Sequence, residues 1–91
     1  MNDIERGEQA KRLLENDLYV EAFEAVKGGI IQKWQDCPMR DREGQHELKL
    51  MLKCLLEVQG YIEQVWTTGK FAAIQLDQEK RISKVREHFP A

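Results

Sequence analysis

Histidine, cysteine and carboxylate side chains are the groups in this chain that could support catalysis or bind a metal. The histidines, His46 and His88, lie far apart, and neither has a second histidine close by. The cysteines, Cys37 and Cys54, lack the paired spacing of a zinc site or of a redox CxxC motif. The carboxylates follow solvated helix faces, and the chain has no phosphate-binding glycine loop and no nucleophile elbow. The sequence therefore predicts a protein that is not an enzyme and that uses no metal or cofactor.

A basic cluster near the C-terminus is the feature that could contact a phosphate backbone. Its cations are Lys80, Arg81, Lys84 and Arg86. The formal net charge of −2 gives no overall attraction to nucleic acid, so any contact would depend on this cluster. Helix-turn-helix spacing is absent, which argues against sequence-specific DNA recognition. Two interpretations remain: an ordinary solvated helix face, or weak non-specific contact with DNA or RNA.

Composition indicates a helical protein of one domain. The 91 residues are 33% charged and 42% hydrophobic, with only two prolines, which is typical of helices with large solvated faces. No uninterrupted apolar run approaches the ~20 residues that a membrane-spanning helix needs, and no apolar segment follows Met1. We therefore expect no membrane association, a cytoplasmic location and reduced thiols.

The spacing of apolar residues predicts an all-α fold whose centre is an antiparallel helical hairpin of two main helices. The single domain over 1–91 comprises a short helix over 1–16, a helix over 17–36, a long helix over 41–69 and a partly exposed tail helix over 70–89. Asn2 or Asp3, Asn16 or Asp17, and Asp41 are suited to cap three of these helices. Pro38 marks the hairpin turn, because proline disfavours helical backbone at the preceding residue. The first helix has few apolar residues, and we expect it to pack across the hairpin.

The long helix carries an apolar stripe at spacings of three and four residues. Its members are Leu48, Met51, Leu52, Leu55, Val58, Ile62, Val65 and Trp66. Cys54 falls within this stripe, where a thiol is expected to pack as a small hydrophobe. In the hairpin, Phe23, Val26, Ile30 and Trp34 are expected to face Leu48, Leu52, Leu55 and Ile62.

Glycines interrupt both main helices. Gly28 and Gly29 together cost about 2 kcal/mol relative to alanines, so they predict a bend or a close helix crossing. The crossing is favoured because the apolar pattern resumes in phase at Ile30, and Gly60 could provide the opposing surface. Gly69 is either a C-cap that ends the long helix or a weak point within a helix that continues.

Self-association follows from the unequal lengths of the main helices. The long helix measures roughly 40 Å and the second helix about 27 Å, so the second helix cannot cover the C-terminal half of the stripe. Small domains commonly compensate for such a deficit by forming oligomers. We therefore expect at least a dimer, joined through Val65, Trp66, Phe71 and Ile74 with a contribution from the tail.

Four short stretches carry a resemblance to a known group of proteins. They read ERGEQA at 5–10, DREGQHEL at 41–48, LMLK at 50–53 and TGKFAA at 68–73, and the segment from Asn16 to Glu24 is similar as well. The sequence resembles short helical proteins of tailed bacteriophages, which are commonly met among head-assembly and packaging genes. The resemblance is one of caps and apolar positions, so no site residues are transferred.

The resemblance implies a setting for the protein. It favours a phage structural or assembly protein that self-associates or docks on a larger virion component, in the host cytoplasm or in the virion. One alternative is a nucleic-acid-associated packaging accessory or regulator that uses the basic cluster. Another is a small inhibitor of a host protein.

Overall fold

The fold is all-α, as the sequence predicts. The computed structural model describes the backbone of residues 1–88 and the side chains of residues 1–86. Over this range there is no strand, and the helices are α1 (Asp3–Leu14), α2 (Asp17–Asp36) and α3 (Arg42–His88). Position 89, at which the tail helix was expected to end, lies outside the described residues. The molecule is elongated, with extents of 75 × 26 × 19 Å.

Side-chain caps define the start of all three helices, as predicted, and the caps are Asn2 rather than Asp3, Asn16 rather than Asp17, and Asp41. In each case a side-chain oxygen accepts a hydrogen bond from a backbone N–H three residues on: Asn2 from Glu5 at 2.8 Å, Asn16 from Tyr19 at 3.0 Å, and Asp41 from Gly44 at 3.0 Å. Such a bond satisfies one of the backbone donors left free in the first helical turn. Helix α2 ends before Cys37, whose extended backbone (φ −72°, ψ 128°) is the conformation favoured before a proline.

Helix α3 is continuous for 47 residues, so the expected boundary between residues 69 and 70 is absent. Gly69 does not have a positive φ and does not act as a C-cap. Of the two alternatives for Gly69, a helix that continues is confirmed. At 1.5 Å per residue α3 is about 70 Å long, which accounts for the long dimension of the molecule.

Both shorter helices pack against α3, and the more extensive contact is that of α1. Helix α1 runs antiparallel to α3, with Asp3 near Leu76 and Leu13 near Ile62. It barely touches α2. The predicted core, a hairpin of α2 and α3 crossed by α1, is therefore not confirmed.

The buried core is small. The buried apolar side chains among the described residues are those of Ala10, Phe23 and Ile30. On α3 the residues expected to face α2, namely Leu48, Leu52, Leu55 and Ile62, are half-buried. Val26 and Trp34, which were expected to complete the α2 face, are exposed.

Helices α1 and α3 approach each other closely at Gly7 and Gly69, and both residues are buried. A Cβ built on Gly7 would lie 2.8 Å from the Cα of Gly69. A Cβ built on Gly69 would lie 2.7 Å from the Cα of Gly7 and 2.8 Å from the carbonyl oxygen of Asp3. The backbones can therefore approach this closely only because neither position has a side chain.

The crossing predicted at Gly28 and Gly29 is wrong. A Cβ at Gly28, Gly29 or Gly60 would have nothing within 4 Å, and all three residues are exposed. These glycines lie on helix surfaces that no other described element covers. The close helix crossing in this chain is instead that of α1 and α3 at Gly7 and Gly69.

Alanine substitutions should separate the two groups of glycines. In Gly7→Ala and Gly69→Ala the new methyl group meets backbone, so an overpacking cost of about 1–3 kcal/mol outweighs the gain in helix propensity. In Gly28→Ala and Gly29→Ala the methyl group meets open space, so stability should rise by about 0.5–1 kcal/mol. Urea unfolding followed by circular dichroism, at one fixed protein concentration, measures both effects. Equal stabilisation in all four variants would contradict the crossing.

Candidate interaction surface

Much of the apolar surface of α3 is left free by α1 and α2. The exposed large apolar residues of α3 are Leu50, Met51, Leu56, Val58, Tyr61, Phe71, Ile74, Leu76, Ile82 and Val85. The accessible surface of the chain is 7729 Å². A compact monomer of 10.7 kDa would expose about 5,500 Å². The chain therefore exposes about 2,200 Å² more than a compact monomer of its mass.

Val65 and Trp66, two of the four predicted interface residues, lie against α1. Val65 is half-buried and lines shallow grooves together with Arg6 and Leu13 of α1. The carbonyl oxygen of Trp66 lies 3.5 Å from the position of a Cβ on Gly7. The Trp66 ring is half-buried, so part of the surface predicted to bind another subunit is used within the chain.

The Trp66 ring makes a cation–π contact with Lys70. The Nζ atom of Lys70 lies 3.5 Å from the centroid of the Trp66 ring, one turn further along α3. Such contacts contribute about 0.5–1 kcal/mol at exposed sites. The Lys70 ammonium therefore covers one face of the indole.

Phe71 and Ile74, the other predicted interface residues, remain exposed. Phe71 follows Gly69 by two residues, which places it about 200° round the helix and away from α1. Ile74 lies at the edge of the groove that Ile4 and Trp66 line. The structure thus brings Trp66 and Ile74 to one groove beside α1, whereas Val65 lines the grooves on the other side of α1 and Phe71 lies away from α1.

A line of exposed side chains continues from Phe71 towards the end of α3. Its members are Phe71, Ile74, Gln78, Ile82 and Val85, which we call the arm stripe. The apolar members have exposed fractions of 68%, 54%, 54% and 56% in chain order. Gln78, Ile82 and Val85 belong to the tail that was expected to contribute to the interface, but none of them was predicted individually. The spacing of Phe71 and Ile74 recurs eleven residues later in Ile82 and Val85, which is the signal that could have identified them.

The basic cluster is exposed but does not form a single face. Arg81 pairs through Nη2 with the Oδ2 atom of Asp77, at 3.2 Å. Helical geometry places Lys80 and Lys84 about 40° apart, whereas Arg86 lies about 160° from Lys84. The structure therefore brings together two of the four predicted nucleic-acid contacts, Lys80 and Lys84.

The described side chains include no group of three histidine, cysteine or acidic residues that could hold a metal ion. His46 is exposed on the first turns of α3. The side chain of His88 lies outside the described part. Cys54 is exposed, so the prediction that it packs as a hydrophobe is wrong: it lies on a side of α3 that neither α1 nor α2 covers.

Cys37 is a half-buried thiol in the turn between α2 and α3. Its Sγ atom lies 3.8 Å from the Oδ2 atom of Asp41. The pKa of the Cys37 thiol is raised, first by burial and then by the charge and hydrogen bonding of the Asp41 carboxylate. Because a raised pKa leaves less thiolate at a given pH, this environment does not activate Cys37 as a nucleophile.

The two cysteines should therefore differ in alkylation rate. At mildly alkaline pH, Cys54 should react with iodoacetamide faster than Cys37, as measured by mass spectrometry of the labelled peptides. Asp41→Asn keeps a good helix cap but removes the negative charge, so the pKa of Cys37 should fall and its alkylation should accelerate. Cys54 serves as the internal control. An unchanged Cys37 rate in Asp41→Asn would contradict this account.

None of the described helices is long and apolar enough to cross a bilayer. The phage resemblance rests on the sequence stretches quoted above. Comparison with protein-family models, with curated proteins and with solved structures finds no match to this chain.

Proposed function

We propose that this protein is a small assembly protein that acts by helix-mediated self-association. The observation that supports this function is the excess of exposed surface, about 2,200 Å² per chain. Obligate homodimers bury about 2,000–5,000 Å² in total, or about 1,000–2,500 Å² from each copy. Association with a second copy is therefore enough to cover the excess.

The small core supports the same proposal. Three buried apolar side chains over residues 1–86 are few for a domain of this size, and small domains commonly add stability by forming oligomers. The half-buried residues of α3 gain further burial if a second copy packs beside them. In this proposal folding and assembly are coupled.

In each copy we propose an antiparallel hairpin of α2 and α3 as the structural unit. The turn between them is short, because α2 ends at Asp36 and α3 begins at Arg42. Across this turn Trp34 shares an apolar groove with Leu48 and Leu52. Helix α1 then covers the next stretch of α3, and residues 1–91 act as one domain.

The resemblance to phage proteins supplies the proposed setting. In that setting the assembled protein docks on a larger virion component, in the host cytoplasm or in the virion. The exposed apolar residues in the first half of α3, such as Met51, Val58 and Tyr61, are available for that contact. Self-association itself does not depend on the setting.

Sedimentation equilibrium of the purified chain at micromolar concentration tests the proposed function. We expect the mass of a dimer or of a larger species, because a monomer would leave the exposed large apolar residues of α3 in water. Circular dichroism of the same samples checks that the chain is folded. A stable, well-folded monomer would rule out this function.

A second candidate function, weak nucleic-acid binding, is favoured by the exposed pair Lys80 and Lys84. Both side chains lie on the part of α3 beyond Glu79, where every described side chain is exposed. Arg81 contributes less because Asp77 partly neutralises it. Such a site would recognise phosphate without reading sequence.

Binding to DNA should then be weak, steeply salt-dependent and localised to this pair. Fluorescence anisotropy at low salt, with duplex and single-stranded DNA, should show affinity that falls as salt is added. Lys80→Gln with Lys84→Gln should abolish it. The matched control is Lys49→Gln with Lys53→Gln, an exposed pair of the same spacing on the first half of α3. Equal loss in both double variants, or no binding by the natural chain, would dismiss this candidate.

A further inference from the structure

We propose that the arm stripe pairs with the arm stripe of a second copy in an antiparallel arrangement, with the two-fold axis at Gln78. This inference rests on the proposed function, because it specifies one surface through which two copies join and how they are oriented there. The stripe spans about 21 Å of α3, so it covers part of the excess surface. The contact involves Phe71, Ile74, Gln78, Ile82 and Val85 of each copy.

The arm stripe repeats with nearly the period of a straight α-helix. Ile82 lies eleven residues after Phe71, and Val85 lies eleven residues after Ile74. An eleven-residue repeat corresponds to about 3.67 residues per turn, close to the 3.6 of an undistorted α-helix. The stripe therefore stays on one side of α3, and two such helices can pack side by side with little supercoiling.

The order of the spacings permits an antiparallel pair, and the sizes of the paired side chains favour it. From Phe71 to Val85 the members of the stripe are separated by three, four, four and three residues, so the pattern is the same in both directions about Gln78. When two copies run antiparallel with Gln78 opposite Gln78, Phe71 of one copy meets Val85 of the other. By the same symmetry Ile74 meets Ile82. Apolar members would also meet in a parallel pair, but there Phe71 would face a second phenyl ring and Val85 a second valine. The antiparallel pair places each large ring against the smaller Val85, so facing positions combine a large and a small side chain.

Gln78 is suited to lie on the axis. Its side chain carries both a hydrogen-bond donor and an acceptor, so each amide can donate to and accept from its symmetry mate. A single polar residue within an apolar helix contact fixes the register, because any shift would leave it facing an apolar side chain. Gln78 is exposed and therefore accessible to a second copy.

Helix α1 leaves room for this contact. It crosses α3 at Gly69, and Phe71 lies about 200° round the helix from that crossing. In the antiparallel pair the bulk of each copy extends away from the axis in opposite directions along α3. The arm stripe of a second copy can therefore approach without displacing α1.

Disulfide trapping tests the arrangement in the full chain with Cys37→Ser and Cys54→Ser as background. After oxidation with diamide, Gln78→Cys should form a covalent dimer, and so should a mixture of Phe71→Cys and Val85→Cys. Phe71→Cys alone should not, because its two thiols would be about 21 Å apart along the axis, whereas a disulfide needs Cα atoms within about 7 Å. Leu18→Cys, exposed to 71% on α2, is the control for random collision and should not link.

The outcomes distinguish this inference from the proposed function. A linked dimer of Phe71→Cys alone would show a parallel pair and overturn the arrangement. A background protein that sediments as a dimer but forms no link at position 78 or between positions 71 and 85 would overturn the interface and leave self-association standing. A background protein that sediments as a folded monomer would overturn both.

Discussion

The close approach of α1 and α3 at Gly7 and Gly69 is the contact on which the rest of this structure depends. Because neither residue has a side chain, the two backbones lie closer than any larger residue would allow. Ala10, the next small residue of α1, is buried one turn further along. Small residues thus let a helix with little apolar content dock firmly. The docking decides which side of α3 is covered and which side remains free.

Covering one side of α3 leaves a long helix with few other sources of stability. Isolated helices are marginal in water, and most helical stability in proteins comes from packing of an apolar face. Beyond Glu79 every described side chain of α3 is exposed. The exposed pair of Arg81 with Asp77 is worth only about 0.3–0.5 kcal/mol. The C-terminal part of α3, which carries the arm stripe, therefore gains its main stabilisation when another helix covers that stripe.

Local features of the fold could be predicted from the sequence, and long-range ones could not. Caps at Asn2, Asn16 and Asp41 depend on residues three positions apart, so the sequence shows them directly. The pairing of Gly7 with Gly69 joins residues 62 positions apart, and a glycine at a crossing has the same local pattern as one on an exposed surface. The interface was predicted by comparing the length of α3 with that of α2 alone. Trp66 was therefore expected to be uncovered, although α1 lies against it.

The arm stripe and the pair Lys80 and Lys84 lie on different sides of α3, so a second copy and a nucleic acid would not compete for the same surface. Gln78 is at the centre of the arm stripe, and Lys80 and Lys84 lie about 160° and 120° round the helix from it. A second copy bound to the stripe would therefore leave both lysines in solvent. Pairing of two arms would also double the number of such lysine pairs in one particle. Two weak phosphate contacts held in one particle bind an extended polyanion more tightly than one, because the second contact forms at a high effective concentration. Self-association would in this way strengthen any nucleic-acid contact of the arm.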